Sequence, residues 1–308
     1  MTRLARPRAT LERNMARWPW ESERADPAGV MRPLTTTTLL GSFSVNRRLT
    51  LLDLRVAAFV IERWLGQGAG SGDNPARLNL YELGWAIFER KPGGAENEAL
   101  RESLQRLFEV EIDAKGLDAR SGRVRLVARK GRVLTQLDCE FDDLEDPCPA
   151  QFGALRGATY EVYLAPWLVE QIKAGGRLTL DLAVMRQLRK LAERLWLYLE
   201  AEVFAAVASG EREELIEPIP LRSEFFNSLR INCARAADAR KALKQAARKI
   251  CDVDPRYEDL SILETPDGHV LRAVRRTNVS LDTRASTVRE GCRRQRESQY
   301  QREPSPMS

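Results

Sequence analysis

Histidine is almost absent from this sequence, and that scarcity removes whole classes of chemistry. The only histidine among the 308 residues is His269. Zinc sites of the H-E-x-x-H type need two imidazoles, so they are excluded within one chain. A Ser-His-Asp triad would have to use His269, which lies in a predicted turn after Asp-Gly. We therefore predict that the chain has no catalytic site of its own and is not an enzyme.

Other familiar motifs are missing as well. The Gly-rich stretch over 66–72 is not followed by lysine, so it predicts a flexible loop rather than a phosphate-binding loop. The five cysteines are odd in number and form no C-x-x-C pair. They therefore predict neither a disulfide framework nor a zinc ribbon, and they fit a reducing cytosol. No cofactor and no metal are expected.

Long apolar runs are also lacking. No stretch of 18 or more apolar residues occurs, which argues against a membrane-spanning helix. The N-terminus is basic but has no apolar core of the kind that secretory signals carry. These features predict a cytoplasmic protein without membrane contact.

What the chain does have is enough apolar sequence for two folded domains. Hydrophobic residues make up 43% and charged residues 30%, and the length suits two domains better than one. The net charge is +5 and the isoelectric point about 9.0, a modest excess for this length. Since many soluble proteins share that excess, the positions of Arg and Lys matter more than their number.

The first predicted domain covers 34–165, after a basic and disordered arm over 1–33. Apolar spacing and turn signals predict three helices and then a β-ribbon. The helices fall over 50–64, 81–89 and 95–108, and the strands over 110–114, 122–129 and 132–141, with a further strand over 160–164. This order is that of a winged helix, a helix-turn-helix with a hairpin wing. The candidate DNA-binding residues lie on the third helix and the wing: Arg101, Arg123, Arg125, Arg129 and Lys130.

The second predicted domain covers 166–282 and repeats this order, so the predicted fold class is α+β, mainly α, with two tandem winged helices. Its helices are predicted over 180–188, 190–204, 221–229 and 234–250, and its strands over 260–264 and 270–276. An Arg-rich disordered tail is predicted over 283–308.

The helix over 234–250 is the most informative segment. A narrow apolar stripe runs along one side, while Arg240, Lys244 and Arg248 form an i, i+4, i+8 row on another. Like charges at this spacing cost a few tenths of a kcal/mol per pair in isolation. A polyanion bound against this face would make the row of like charges favourable instead of unfavourable. The candidate DNA-binding residues of this domain are Arg235, Arg240, Lys241, Lys244, Arg248, Lys249, Arg272, Arg275 and Arg276.

An acidic stretch over 138–146, DCEFDDLED, supports an alternative. Carboxylates this dense are able to hold Mg²⁺ for a nuclease or primase, with Asp138, Glu140, Asp142 and Asp143 as ligands. No second carboxylate cluster completes such a site, so a solvated loop is the favoured interpretation.

The order of parts resembles the theta-type plasmid replication initiators over roughly 40–280. The segment over 46–64, NRRLTLLDLRVAAFVIERW, is similar to that family's opening helix. TYEVYLAPWLVEQIKAG and the helix that follows resemble the junction between its two units. That following helix carries Arg194, Leu195, Tyr198 and Leu199 in an R-L-x-x-Y-L-like pattern.

The resemblance implies a sequence-specific protein that binds direct repeats, called iterons, in double-stranded DNA at a plasmid origin. It implies that the C-terminal unit supplies the main major-groove helix, over 234–250. It also implies a homodimer formed through the N-terminal unit, help in opening an AT-rich region, and the host initiator and helicase as partners.

Two further hypotheses stay open. The chain is compatible with a winged-helix transcriptional repressor, which overlaps with the initiator because many initiators repress their own gene. It is also compatible with an adaptor whose basic faces bind an acidic protein.

Overall fold

The computed structural model describes residues 8–21, 33–38, 41–68, 74–120, 123–140, 159–208, 215–233 and 235–275. The N-terminal half contains β1 (Arg8–Glu12), a 3-10 helix (Met15–Arg17), β2 (Leu34–Thr38), β3 (Gly41–Val45), α1 (Leu51–Gly66), β4 (Ala76–Asn79), α2 (Leu80–Phe88), α3 (Gly94–Glu109), β5 (Ile112–Arg120), β6 (Arg123–Gly131), β7 (Leu134–Glu140) and β8 (Thr159–Leu164). The C-terminal half contains α4 (Pro166–Lys173), β9 (Arg177–Asp181), α5 (Leu182–Gln187), α6 (Leu191–Ala208), β10 (Leu215–Pro220), α7 (Ser223–Ser228), α8 (Ala236–Val253), β11 (Tyr257–Thr265) and β12 (Gly268–Arg275). The predicted α+β class is confirmed.

Two groups of elements in this chain follow the same order. In the first unit, α1, β4, α2, α3, β7 and β8 come in this order, with β5 and β6 inserted between α3 and β7, and β4, β7 and β8 form a sheet in the order β4-β8-β7. In the second unit, α6, β10, α7, α8, β11 and β12 do the same, with the order β10-β12-β11. In both units the strand that follows the first helix therefore pairs with the last strand of the hairpin. The repeat lies in the topology.

The opening helix of the first unit begins with a capping box. Thr50 accepts a hydrogen bond from the backbone N–H of Asp53, and the Asp53 carboxylate accepts one from the Thr50 N–H at 2.7 Å. Such reciprocal capping satisfies two amide groups that the helix itself leaves free. Asp53 also accepts from Arg106 of α3 at 3.0 Å, which ties α1 to the third helix.

The basic hairpin predicted as the first wing belongs to a different sheet. Strands β5 and β6 pair with each other and extend β2 and β3 into a sheet ordered β2-β3-β5-β6. The hairpin that closes the sheet with β4 is β7–β8 instead, and its connection, 141–158, lies outside the described residues. Periodicity indicates that a segment is a strand, but it does not select the partner strand, so the sequence does not show which sheet the β5–β6 hairpin joins.

The predicted disordered arm is wrong over 8–21. Strand β1 pairs antiparallel with β9, with Arg8 opposite Asp181 and Glu12 opposite Arg177. Leu11, Met15 and Trp20 are almost fully buried. The segment escaped prediction because it is short and its strand partner lies far along the chain. The rest of the predicted arm, and the predicted tail, lie outside the described residues.

Ion pairs, of which Arg55–Glu193 is buried on both sides, join this segment and the two units. Arg55 of α1 donates two hydrogen bonds to Glu193 of α6, at 2.9 and 2.7 Å, and both side chains are buried. Arg17 lies 3.1 Å from Glu202 of α6, and Arg230 donates to Glu21 at 2.9 Å. Because buried charges are tolerated only when paired in good geometry, these contacts fix how the units meet.

No helix in the described ranges is both long and apolar enough to cross a membrane.

Candidate nucleic-acid interface

Helix α8 has one sharply defined buried side. Ala239, Leu243, Ala246, Ala247 and Ile250 make up its apolar stripe, and each is at most 5% exposed. They repeat with helical spacing and pack against α6 and β11. The contacts on this side decide which side chains of the helix face outward.

The outward side of α8 is cationic. Lys241, Lys244, Arg248 and Lys249 are exposed, and Arg240 is half-buried. Within the described ranges, no carboxylate forms an ion pair with any of these five side chains. The helix's own acidic residues, Asp238 and Asp252, lie near its two ends. The helix thus presents a continuous positive surface, which we call the α8 face: Arg240, Lys241, Lys244, Gln245, Arg248 and Lys249.

Two other predicted residues of the second unit are exposed. Arg235 is the N-cap of α8, and Arg272 lies on β12 opposite Ser261 of β11. The β11–β12 turn closes with Gly268 at φ +123°, a backbone conformation that side chains rarely allow. Arg272 thus belongs to a hairpin of the same unit as the α8 face.

Arg275 does not join this surface. Its guanidinium lies 3.3 Å from the Glu200 carboxylate and 5.9 Å from the centre of the Tyr257 ring, and its side chain is only 10% exposed. The sequence prediction placed Arg275 against DNA because strand alternation alone does not reveal a buried acidic partner. Arg276 lies outside the described residues.

A buried polar network connects α6, the end of α8 and the hairpin. Glu200 of α6 accepts from the Tyr257 hydroxyl at 2.9 Å and pairs with Arg256 and Arg275. Asp254 accepts from the Trp196 indole at 2.9 Å and from Arg256 at 2.9 and 2.6 Å. Buried networks of ion pairs and hydrogen bonds restrict the geometry of the elements that they join. This one fixes the exit of α8 relative to β11 and β12.

This network was not predicted, although the sequence contains one indication of it. Glu193 and Glu200 are seven residues apart and so share a face of α6, a mainly apolar helix whose other charged residues are Arg194 and Glu202. Two carboxylates on the buried face of a helix require cationic or hydrogen-bonding partners.

The network also sets the protonation of its groups. Burial by itself raises the pKa of Asp254, but hydrogen bonds and charge from Arg256, with the Trp196 indole, outweigh it and lower the pKa below its usual value. Burial and the neighbouring Glu200 raise the pKa of Tyr257 well above its usual value. Asp254 is therefore ionised and Tyr257 neutral at physiological pH.

We expect Asp254→Asn to cost stability at neutral pH and progressively less in acid. A carboxyl whose folded-state pKa is lowered contributes stability above its unfolded pKa, about 3.9, and loses it as pH falls through the folded value. The difference in unfolding free energy between wild type and variant should therefore shrink below about pH 4. Urea unfolding at a series of pH values from neutral to acidic measures this difference. Asp252→Asn, at an exposed position of α8, is the control, and a difference that stays constant with pH for Asp254→Asn would contradict the assignment.

The first unit does not repeat the cationic face. Arg101 of α3 pairs with Glu98 at 2.6 Å, and Arg106 is turned towards Asp53 and Glu102. Helix α3 carries four glutamates against these two arginines. The expectation of one cationic helix face in each unit is therefore wrong for α3. Arg123, Arg125, Arg129 and Lys130 lie on β6, whose side chains are outside the described part of the chain.

The acidic stretch lies mostly outside the described residues. Of its members, Asp138 is on β7 and accepts a hydrogen bond from Gln136 at 2.6 Å. Among the described residues, no group of three or more His, Cys, Asp or Glu side chains is placed to hold a metal ion. The Mg²⁺ hypothesis therefore remains a hypothesis.

Comparison with solved structures finds relatives of this fold. A crystal structure of a selenomethionine derivative of domains 2 and 3 of RctB matches with a TM-score of 0.51 and 13% sequence identity, over 87% of this chain and 99% of that one. The fold is similar to that of RctB. A second crystal structure, of RctB residues 155–483, matches with a TM-score of 0.44 and 13% identity, over 86% and 97% of the two chains. No protein-family profile and no curated protein sequence matches the chain.

Proposed function

We propose that the chain is a double-stranded DNA-binding replication initiator made of two winged-helix units. The topology supports this, since each unit contains a helix, a strand, two helices and a hairpin in this order, with the first strand paired to the last, and the first unit has β5 and β6 inserted before its hairpin. The similarity in fold to RctB, a replication initiator, supports the same class.

The observation that carries the proposal is the α8 face. Five cations lie on one side of the third helix of the second unit, and no described carboxylate neutralises them. In helix-turn-helix proteins, this helix enters the major groove. On DNA, the cations displace counterions from phosphates, which supplies affinity and register. Arg240, Lys241, Lys244 and Arg248 are the candidates for base contacts, because Arg or Lys to guanine is the commonest specific pairing.

The wider assignment follows from the resemblance to theta-type initiators. On that basis the protein binds direct repeats at a plasmid origin, assists origin opening, and works with the host initiator and helicase in the cytoplasm. A homodimer through the first unit belongs to the same proposal. The protein acts without a cofactor and without a catalytic site.

The decisive experiment uses the DNA that flanks the gene. Fluorescence anisotropy with the full chain compares duplex fragments of that DNA with a random duplex at fixed salt. We expect one fragment with tandem repeats about two helical turns apart to bind at least about a thousandfold tighter than the random duplex. Equal affinity for all duplexes would contradict the proposal and favour a generic basic protein.

A replication test separates the initiator from a repressor. A plasmid that carries only the gene and the bound fragment should be maintained if the chain initiates replication. A repressor binds the same fragment and lowers transcription from it, but it does not maintain the plasmid.

The salt dependence of binding tests the role of single cations on the α8 face. Each phosphate contact that is lost lowers the slope of log affinity against log salt by about 1. We expect Lys241→Ala to lower the slope by this amount, as measured by anisotropy over a salt series. Lys91→Ala removes an exposed lysine from the first unit and should leave the slope unchanged. An unchanged slope for Lys241→Ala would remove Lys241 from the interface.

A further inference from the structure

Three arginines from separate parts of the chain surround one carboxylate, that of Glu21. Arg48 lies just before α1, Arg194 is on α6, and Arg230 follows α7. The Arg230 Nε donates to the Glu21 Oε1 at 2.9 Å, and the Arg48 Nη1 lies 3.3 Å from the same oxygen. Arg194 lies close enough to feel the charges of both Glu21 and Arg230. We call these four side chains the Glu21 cluster.

The backbone around the Glu21 cluster holds its side chains in place. The Glu21 N–H donates to the Leu49 carbonyl at 2.8 Å, and the Glu21 carbonyl accepts from the Leu51 N–H at 3.0 Å. The Arg194 Nη1 donates to the Trp20 carbonyl at 3.0 Å. Arg230 has a φ of +53°, a left-handed conformation that is uncommon outside glycine and persists where the surrounding structure requires it. The guanidinium groups are therefore positioned before any ligand arrives.

The charges of the Glu21 cluster do not balance. Glu21 supplies one negative charge against three positive ones. Glu193 is next to Arg194 in the sequence, but its carboxylate accepts two hydrogen bonds from Arg55. Burial, with the charge of Arg230, lowers the pKa of Arg194 to about 10 despite the attraction of Glu21. The described residues thus leave an excess of about two positive charges in a partly buried place, where charge is costly without a counter-ion.

Two donors of the Glu21 cluster also lack acceptors. The Nε–H groups of Arg48 and Arg194 are buried and form no hydrogen bond within the described parts of the chain. Buried donors are normally paired, and leaving one unpaired costs free energy. The cluster is still open to small ions, since the side chain of Arg48 is 28% exposed and that of Arg230 is 13% exposed. A small dianion with several acceptor oxygens would satisfy both the charge and the donors.

We propose that Arg48, Arg194 and Arg230 bind a free phosphate monoester or inorganic phosphate at the junction of the two units. A phosphate monoester carries about 1.5 to 2 negative charges at neutral pH and three acceptor oxygens, which matches the excess charge of the cluster. Guanidinium groups bind phosphate through paired N–H donors in a planar fork. A backbone phosphate of DNA carries one charge on a wide duplex, so it fits this recess less well. The inference goes beyond the proposed function, since none of these arginines lies on the α8 face.

Isothermal titration calorimetry of the full chain with inorganic phosphate, in a chloride buffer, tests the site. We expect phosphate to bind the wild type. Arg48→Gln should lose at least about tenfold of that affinity, because a charge-assisted hydrogen bond is removed, and should bind the flanking duplex as the wild type does. Arg90→Gln removes an exposed arginine that pairs with Glu96, and it should bind phosphate normally. Circular dichroism confirms that each variant folds.

Glu21→Gln separates a binding site from a structural cross-link. Without its carboxylate the three arginines repel one another, so the variant should melt at a lower temperature than the wild type in chloride. It should bind phosphate at least about tenfold more tightly, since a competing negative charge is gone, and phosphate should restore its melting temperature. Glu82→Gln, at a carboxylate that pairs with the exposed Arg63, is the control. It corrects for the general stabilisation of proteins by phosphate salts.

Several outcomes would overturn the phosphate site. Absence of binding to the wild type, together with no rescue of Glu21→Gln, would show that the arginines only cross-link the units. Unchanged phosphate affinity in Arg48→Gln would place the ion elsewhere. Loss of duplex affinity in Arg48→Gln, with no phosphate bound by the wild type, would assign the cluster to the DNA-binding surface. Failure of the wild type to bind flanking DNA would instead refute the proposed function, and the phosphate titration would still test the cluster.

Discussion

Replacing Arg240 and Lys244 together with alanine should strongly weaken specific DNA binding. Both side chains lie on the outward row of α8, one turn apart, and no described carboxylate pairs with either. Each contact of an Arg or Lys to a base or phosphate is worth roughly 1–3 kcal/mol, so the double change should weaken binding at least about 30-fold. A gel-shift or anisotropy titration on the repeat-containing fragment measures this loss.

The control for this prediction removes the same charge elsewhere. Lys91→Ala with Arg189→Ala takes away two exposed cations outside α8. It should change affinity little, apart from a small effect of net charge that disappears at higher salt. If the α8 double variant bound the fragment as well as this control does, α8 would not be the helix that reads DNA.

The ion pair between Arg55 and Glu193 should be the most sensitive point for stability. It joins α1 of the first unit to α6 of the second through two hydrogen bonds, and the Glu193 side chain is fully buried. Removing one partner leaves a charge buried without compensation, which costs about 3–5 kcal/mol. Glu193→Ala should therefore strongly lower the urea concentration at the midpoint of unfolding. Circular dichroism during a urea titration measures this midpoint.

Two companion variants separate this effect from a simple loss of contacts. Arg55→Met with Glu193→Leu removes both charges and keeps apolar volume, so it should recover most of the stability. Arg63→Ala breaks an exposed pair with Glu82 and should cost less than about 1 kcal/mol. Equal costs for Glu193→Ala and Arg63→Ala would show that the buried pair contributes nothing special.

Helical spacing of apolar residues predicted the main helices well. The predicted ranges 50–64, 95–108 and 234–250 correspond to α1, α3 and α8, whose ends differ from them by three residues or fewer. The apolar stripe of α8 was visible in the sequence because small and aliphatic residues recur there every three or four positions. The outward charge of that helix followed directly from the stripe.

Strand pairing was less accessible, because the partner of a strand depends on the whole fold. The helix predicted over 180–188 is confirmed over Leu182–Gln187, which is α5, but strand β9 (Arg177–Asp181) just before it, which pairs with β1, was not predicted. The basic hairpin was predicted as two strands, but the sheet that it joins was not. Neither point could be decided by periodicity, which reports only local exposure.

Some features of the candidate site could be predicted from the sequence and others could not. Exposed cations on α8 could be found from the sequence, since no acidic residue interrupts them between Ala239 and Ile250. The loss of Arg275 to Glu200 could not be found, because this partner lies 75 residues away in the chain.

The pairing of β1 with β9 constrains how the chain reaches this fold. The strand made first during synthesis, Arg8–Glu12, has to wait for Arg177–Asp181 before it can form its hydrogen bonds. Until the ribosome has delivered both, β1 is able to pack against α1 but has no partner strand. Contacts of such long sequence separation close late and slow folding. A bulky fusion at the amino terminus would therefore interfere with assembly more than its distance from the α8 face suggests.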